Sequence, residues 1–181
     1  MIENDIKEVY FSKEELHEIV KRLGAQISKD YEGKNLTLVS ILKGSVIFMA
    51  DLMREITVPC EIDFMCVSSY GTGTKSSGTV KIIKDLDINL EGKDLLLVED
   101  ILDSGITLSY LKKVLADRNA ASIRVCTLLD KPGNRQADIS ADYVGKVIPD
   151  EFVIGYGLDY NEKYRNLPFV GVLARRVYAD R

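Results

Sequence analysis

Apolar residues recur along this chain at two spacings, one helical and one strand-like, and the alternation of the two predicts an α/β protein. Leu16, Ile19, Val20 and Leu23 form one face of a helix that Ser12 and Glu15 could open as a capping box. Leu36–Leu42 reads as a strand, Val46–Arg54 as a helix and Ile62–Ser68 as another strand. Thr79–Ile83, Leu95–Val98, Ile123–Leu129, Tyr143–Val147, Phe152–Ile154 and Val170–Leu173 complete the strands. A helix from Thr107 to about Arg118, with Leu108, Leu111, Val114 and Leu115 on one face, makes a right-handed crossover. Periodicity stops over residues 69–78, where Tyr70 is the only apolar side chain, so that stretch is expected to be mobile. No internal repeat or low-complexity tract interrupts the pattern.

Chemistry concentrates at residues 95–107, where an apolar run breaks into Glu99, Asp100 and Asp103 and then into the small residues Ser104, Gly105 and Thr107. A loop at the carboxyl end of a buried strand is where ligands bind in open α/β sheets. Backbone N–H groups of the small-residue turn, with the positive end of the following helix, suit a phosphate. Glu99 and Asp100 would repel that phosphate, so they need hydroxyl donors or a divalent cation. A ribose diol with Mg2+ meets both needs. Asp103 would also serve as the N-cap of the following helix.

The stretch resembles the phosphoribosyl-diphosphate signature of the type I phosphoribosyltransferases. Leu42-Lys43-Gly44-Ser45 after the apolar run Leu36–Ile41, and the segment from Ile148 to Glu162, narrow the resemblance to the bacterial-type 6-oxopurine (hypoxanthine and guanine) members. It extends from about Val9 to Ala174. It implies a mainly parallel sheet with a core over about 36–147, a small hood drawn from about 1–12 and 148–181, and a lid over about 69–79, all one domain. It implies transfer of a phosphoribosyl group from phosphoribosyl diphosphate to hypoxanthine, and also to guanine, with Mg2+ as cofactor. Glu99, Asp100 and Asp159 would hold the metal, and Asp103 would accept the proton of purine N7. Lys43, Gly44, Ser69, Tyr70, Ser104, Gly105, Ile106, Thr107 and Arg165 would contact the phosphosugar, Ser69 and Tyr70 as part of the lid. Lys131 would donate to the 6-oxo group, Phe152 would stack on the purine and Val153 would offer backbone groups to its edge. Taken alone, Lys131, Asp159 and Arg165 read as surface charges and Phe152 as core. Ile106 departs from relatives that carry a basic residue there, leaving the phosphate to backbone donors and Thr107. The Leu42–Lys43 peptide is expected to be cis, and the protein to be a homodimer or homotetramer.

Composition narrows the alternatives. The chain has 181 residues, enough for one domain that buries roughly 70% of its unfolded surface. Its 24 basic and 28 acidic residues give a net charge of −4, which argues against wrapping nucleic acid or an anionic membrane. A nucleotide-sensing RNA-binding regulator on the same fold is the alternative from another class. No apolar run approaches the roughly 20 residues of a membrane span, and the first residues lack signal-peptide character, so a cytoplasmic protein is expected. Cys60, Cys66 and Cys126 are odd in number and lie in or beside apolar segments, as reduced core residues would. With His17 the single histidine, on the polar side of its helix, a Ser-His-Asp device or a multi-histidine zinc site is excluded. Asp85-Leu86-Asp87-Ile88-Asn89 imitates a calcium loop but has Leu90 and Leu96 where Gly and Glu are required. A polar turn also fits this stretch better than an aspartyl-phosphatase nucleophile at Asp85. Residues 71–76 lack the glycine spacing of a nucleotide-phosphate loop.

Overall fold

The computed structural model describes residues 2–69 and 80–178. Nine strands and three α-helices lie along them: β1 (Ile6–Phe11), α1 (Lys13–Asp30), β2 (Leu36–Leu42), α2 (Val46–Glu55), β3 (Cys60–Ser69), β4 (Val80–Lys84), β5 (Asp94–Leu102), α3 (Ile106–Ala116), β6 (Ser122–Asp130), β7 (Tyr143–Val147), β8 (Val153–Ile154) and β9 (Val170–Leu173). β2, β3, β5, β6 and β7 run parallel in a six-stranded sheet of order β4-β3-β2-β5-β6-β7, and β4 closes one edge antiparallel to β3.

Alternation along the central strands feeds two apolar layers. Leu36, Leu38, Leu96 and Val98 face α1 and α2, whereas Val39, Ile41, Leu95 and Leu97 face α3, where Leu108, Leu111 and Leu115 cover them. Strands buried on both faces therefore read as unbroken apolar runs in the sequence. Buried Ser40 and Ser45 are satisfied by each other at 2.7 Å, and Ser45 also donates to the Ile41 carbonyl at 2.7 Å.

The strand order sets the position of the site. The chain leaves β2 through α2 toward β3 on one side and leaves β5 through α3 toward β6 on the other. Neighbouring strands whose connections diverge onto opposite faces open a crevice at their carboxyl ends. Pairing of β2 with β5 ends at Ser40 and Val98, so Leu42, Lys43 and the last four residues of β5 flank this opening.

A second, antiparallel sheet of order β1-β9-β8 joins the two ends of the chain. β1 has no counterpart in the sequence pattern because Lys7, Glu8 and Val9 are all exposed and the strand is defined by its pairing with β9. Other boundaries move by a few residues. β5 continues through Glu99 and Asp100 to Leu102, carrying both acids inside the strand rather than beyond it.

The capping box at α1 is present: the Ser12 hydroxyl accepts from the Glu15 amide at 3.2 Å, and the Glu15 carboxylate accepts from the Ser12 amide at 2.8 Å. Ser12→Ala is expected to lower unfolding free energy by about 1 kcal/mol with activity unchanged, as read by denaturant titration.

Candidate active site

A cavity of about 260 Å3 opens at the crevice. Gly44 lines it from the β2 side, and Glu99, Asp100, Asp103, Ser104, Gly105 and Thr107 line it from the β5–α3 side. Seven of the residues singled out in the sequence are thus brought together by two strand ends, one turn and one helix start. Ile106 is the first residue of α3 but does not line this cavity.

The turn into α3 differs from expectation in one respect. The helix is capped by Gly105, in the left-handed conformation at φ 76°, rather than by Asp103, and no side chain satisfies the cap. A Cβ at Gly105 would lie 2.5 Å from Ile139 Cγ2, so position 105 has neither the space nor the backbone conformation for another residue. The Ile106 amide reaches only the Ser104 hydroxyl, at a long 3.5 Å, and the Thr107 and Leu108 amides that follow lack intrahelical acceptors, so the helix start can receive an anion. Asp103, released from capping, has one carboxylate oxygen buried with no partner among the described residues.

Beside this electropositive turn lies the acidic pair. Burial pushes the Glu99 carboxyl well above the ordinary carboxylate range, and the adjacent Asp100 charge adds to the effect. Burial also pushes Asp100 up to about 6, against the opposing pull of the Ile101 amide and the Arg165 charge. Among the described residues, both acids are thus short of positive partners. A Cβ at Gly44 would stand 1.8 Å from Asp100 Oδ2, so only glycine lets the β2 turn approach the carboxylate. The Leu42–Lys43 peptide beside it is cis.

Other sequence-predicted residues do not line this cavity. Arg165 donates to the Gly157 carbonyl at 2.8 Å and pairs with Asp159 at 3.0 Å, while its Nε is buried with no partner among the described residues. Lys43 pairs with Glu162 at 2.9 Å, and Glu162 also reaches Arg165 at 3.3 Å. Lys131 is buried, its ammonium 3.5 Å from Asp150, whose same oxygen accepts from Asn134 at 2.7 Å. Phe152 is 39% exposed, with Tyr178 stacked on it at 5.3 Å and Tyr160 edge-on at 5.6 Å. The Phe152 carbonyl accepts from the Leu173 amide, so strand alternation turns the backbone groups of Val153 away from β9, to the free edge of that sheet. Ser69 ends β3 opposite Val80, and Tyr70 with the remainder of the expected lid lies outside the described residues.

Sequence reasoning missed Glu162, Asp150 and Gly157, all of which act on residues it did find. A Cβ at Gly157, φ 101°, would meet the Gly44 carbonyl at 2.0 Å. These partners sit far from Lys43, Lys131 and Gly44 in sequence, so no local spacing reveals them.

Among the described residues no group of three or more Asp, Glu, His or Cys side chains is drawn tightly enough to enclose a metal by itself. Hard carboxylate oxygens at Glu99 and Asp100, half-buried and under-compensated, nevertheless suit Mg2+. That ion is held by one or two carboxylates together with water and substrate phosphates rather than by a protein cage.

Asp85 is bound at both carboxylate oxygens by Arg118, at 2.8 Å each, and shows no nucleophile's freedom. His17 is an exposed residue of α1, and the three cysteines are free thiols. Cys126 on β6 is the buried one of the three, whereas Cys60 and Cys66, both on β3, are half-buried rather than core residues.

The Asp100 environment carries a pH dependence. Its folded-state affinity for a proton exceeds the unfolded one, so this group favours folding below about pH 4 and loses that contribution as pH rises to about 6. Relative to Asp100→Asn, the unliganded wild-type protein is expected to lose roughly 1–3 kcal/mol of stability over that interval and to stay less stable above it. Melting temperatures of both proteins across the pH range test this.

The phosphoribosyl transferase domain family matches residues 11–161. The chain is 54% identical to the hypoxanthine-guanine phosphoribosyltransferase of Streptococcus thermophilus, over 98% of this chain and 99% of that one. It is 55% identical to the corresponding protein of Staphylococcus aureus, with the same coverage. The crystal structure of a hypoxanthine phosphoribosyltransferase from Staphylococcus aureus superposes with a TM-score of 0.95 at 55% identity, covering 98% of this chain and 96% of that one. Near-complete alignment at such identity, over a fold whose crevice gathers the signature residues, means that this chain belongs to the hypoxanthine-guanine phosphoribosyltransferase family.

Proposed function

We propose that the protein transfers the 5-phosphoribosyl group of phosphoribosyl diphosphate to N9 of hypoxanthine or guanine, releasing pyrophosphate, as a step of purine salvage. The observation behind this reading is the pairing, at one crevice, of a half-buried acid pair with a helix start that has no side-chain cap. An activated sugar has the matching polarity, with hydroxyl donors on its ring and an anionic 5-phosphate on its tail.

In this reading the amides of Ser104, Gly105, Ile106 and Thr107, with the Ser104 and Thr107 hydroxyls, hold the 5-phosphate. Glu99 and Asp100 accept from the ribose 2- and 3-hydroxyls, which offsets the partial desolvation of the pair. The transition state gathers positive charge on the ring as the pyrophosphate leaves, and carboxylates fixed beside it favour that charge without reorganising. Lys43, the Gly44 backbone and Arg165 receive the pyrophosphate, the unpartnered Nε of Arg165 being a ready donor. Binding the pyrophosphate requires Lys43 and Arg165 to exchange Glu162 for phosphate oxygens, and the exposure of Glu162 and Lys43 keeps the cost of that exchange small. Mg2+, held by Glu99 and Asp100 with Asp159 nearby, supplies positive charge to the leaving group when bound.

The purine lies over Phe152, its edge on the outward backbone groups of Val153 and its 6-oxo group on Lys131. An ammonium at that position favours an oxo acceptor and disfavours the 6-amino group of adenine. Asp103 takes the N7 proton. Its buried, unpaired oxygen is suited to the role, since among the described residues no other group competes for the lone pair. Ser69 and Tyr70 begin a lid that keeps water from the sugar cation. The free thiols suit a reducing, cytoplasmic setting, and no helix among the described residues is long and apolar enough to cross a membrane. By analogy with its relatives the protein works as a homodimer or homotetramer. No observation favours the RNA-binding regulator.

Initial rates with hypoxanthine, guanine, xanthine and adenine, with and without Mg2+, test the assignment. Turnover is expected with the first two and only with the metal; turnover with adenine alone, or with no base, refutes it. Asp103→Asn is expected to lower kcat by about 10²–10⁴ while phosphoribosyl diphosphate still binds. A kcat equal to wild type would remove Asp103 from the mechanism. Lys131→Met is expected to raise the KM for hypoxanthine at least tenfold, about 1.4 kcal/mol, through loss of the donor to the 6-oxo group.

A further inference from the structure

Three consecutive carbonyls of the loop that ends β5 are bound from behind by a single stretch of chain. The Leu102 carbonyl accepts from Arg135 Nη1 at 3.1 Å and from the Lys131 amide at 3.0 Å. The Asp103 carbonyl accepts from the same Nη1 at 2.6 Å. The Ser104 carbonyl accepts from the amides of Gln136 at 2.9 Å and Ala137 at 3.1 Å. In a planar trans peptide the N–H points opposite to the C=O. Fixing these three carbonyls therefore fixes the amides of Asp103, Ser104 and Gly105 in the opposite direction, away from Arg135.

The charge of Arg135 is directed elsewhere. Its Nη2 is in hydrogen-bonding contact with the Asp130 carboxylate, and both side chains are largely buried, at 17% and 16% exposure. Arg135 thus touches Asp103 only through the main chain. A guanidinium on the Asp103 carboxylate would hold it as an ion and weaken it as a base, whereas a guanidinium on the carbonyl fixes its position and leaves the lone pairs free. The strap also closes around Gly105, where a Cβ would approach Arg135 Cδ to 3.1 Å.

We propose that Arg135 is a positioning residue of the transfer reaction. It aims the Asp103 carboxylate at the purine and presents the 103–105 amides to the phosphosugar, with Asp130 neutralising its charge. The proposal rests on the assignment of Asp103 as proton acceptor. Lysine cannot substitute, because one ammonium does not span two carbonyls and a carboxylate in a planar fork.

Steady-state kinetics on wild type, Arg135→Lys, Arg135→Ala, Asp103→Asn and the Asp103→Asn/Arg135→Lys double variant provide the test, with melting temperatures taken in parallel. Arg135→Lys is expected to lower kcat about 10²-fold, the scale of a small misplacement of a reacting group, and to raise the KM for phosphoribosyl diphosphate several-fold. In the Asp103→Asn background the same substitution should lower kcat by less than about threefold while its effect on that KM persists. Millimolar methylguanidinium should restore part of the kcat of Arg135→Ala. A kcat for Arg135→Lys within threefold of wild type overturns the proposal. A double variant whose loss is the product of the single losses does so too, since Arg135 would then act independently of Asp103. If Arg135→Ala does not fold, the lysine variant and its double still separate these outcomes. Full turnover in Asp103→Asn alone would remove the base assignment and the proposal together, whereas loss there with a multiplicative double removes the proposal only.

Discussion

Two carboxylates on consecutive residues at the half-buried end of a parallel strand set the terms for the rest of this molecule. Among the described residues neither Glu99 nor Asp100 finds a cation in direct contact, and burial raises the proton affinity of both. Such a pair persists only because the surrounding fold is strong enough to hold it. Leu95 to Val98, wholly buried between two apolar layers, anchor the strand that carries the acids, and β2 and β6 clamp it on either side. The destabilisation is local, and a ligand bearing hydroxyls and a divalent cation would relieve it.

Backbone rather than side chains brings the facing wall close. Gly44 approaches the Asp100 carboxylate, and Gly157 in turn approaches the Gly44 carbonyl, so two absent side chains define one wall of the crevice. Arg165, tied to the Gly157 carbonyl and to Asp159, fixes the same segment and lends Asp100 a partial positive field. The opposite wall is built by direction: carbonyls of residues 102–104 turn toward the 131–137 segment, and the first amides of α3 are left without backbone acceptors. The crevice therefore has an acidic half and an amide half within one turn of chain. That division matches a sugar with hydroxyls at one side and phosphate at the other.

Much of this is legible in the chain because it depends on local order. An apolar run, an acidic pair, Asp103 and a small-residue turn are contiguous, and contiguity alone puts them at a strand end before a helix. The strands Leu36–Leu42, Tyr143–Val147 and Val170–Leu173 are readable to the residue because aliphatic, β-branched or aromatic side chains predominate in each short stretch. β1 is not, since its exposed Lys7, Glu8 and Val9 show neither alternation nor a run, and only β9 makes it a strand. The N-cap is misread for a related reason: Asp has the higher intrinsic preference, but the close contact of position 105 with Ile139 and Arg135 demands glycine there, and the helix starts from it.

Order along the chain is enough to specify most of the elements, the two apolar periodicities and the cluster of acids and small residues at 99–107, because each is carried by neighbours in sequence. The assembled fold was needed to place β2 beside β5 with diverging connections, which is what opens the crevice between Gly44 and the acids. It was needed equally for the pairings that tune the site: Arg135 with Asp130 and the loop carbonyls, Glu162 with Lys43, Asp150 with Lys131. Hydrogen bonds and charge act through space over a few ångströms, and residues far apart in the chain acquire that proximity only when the sheet order brings them together.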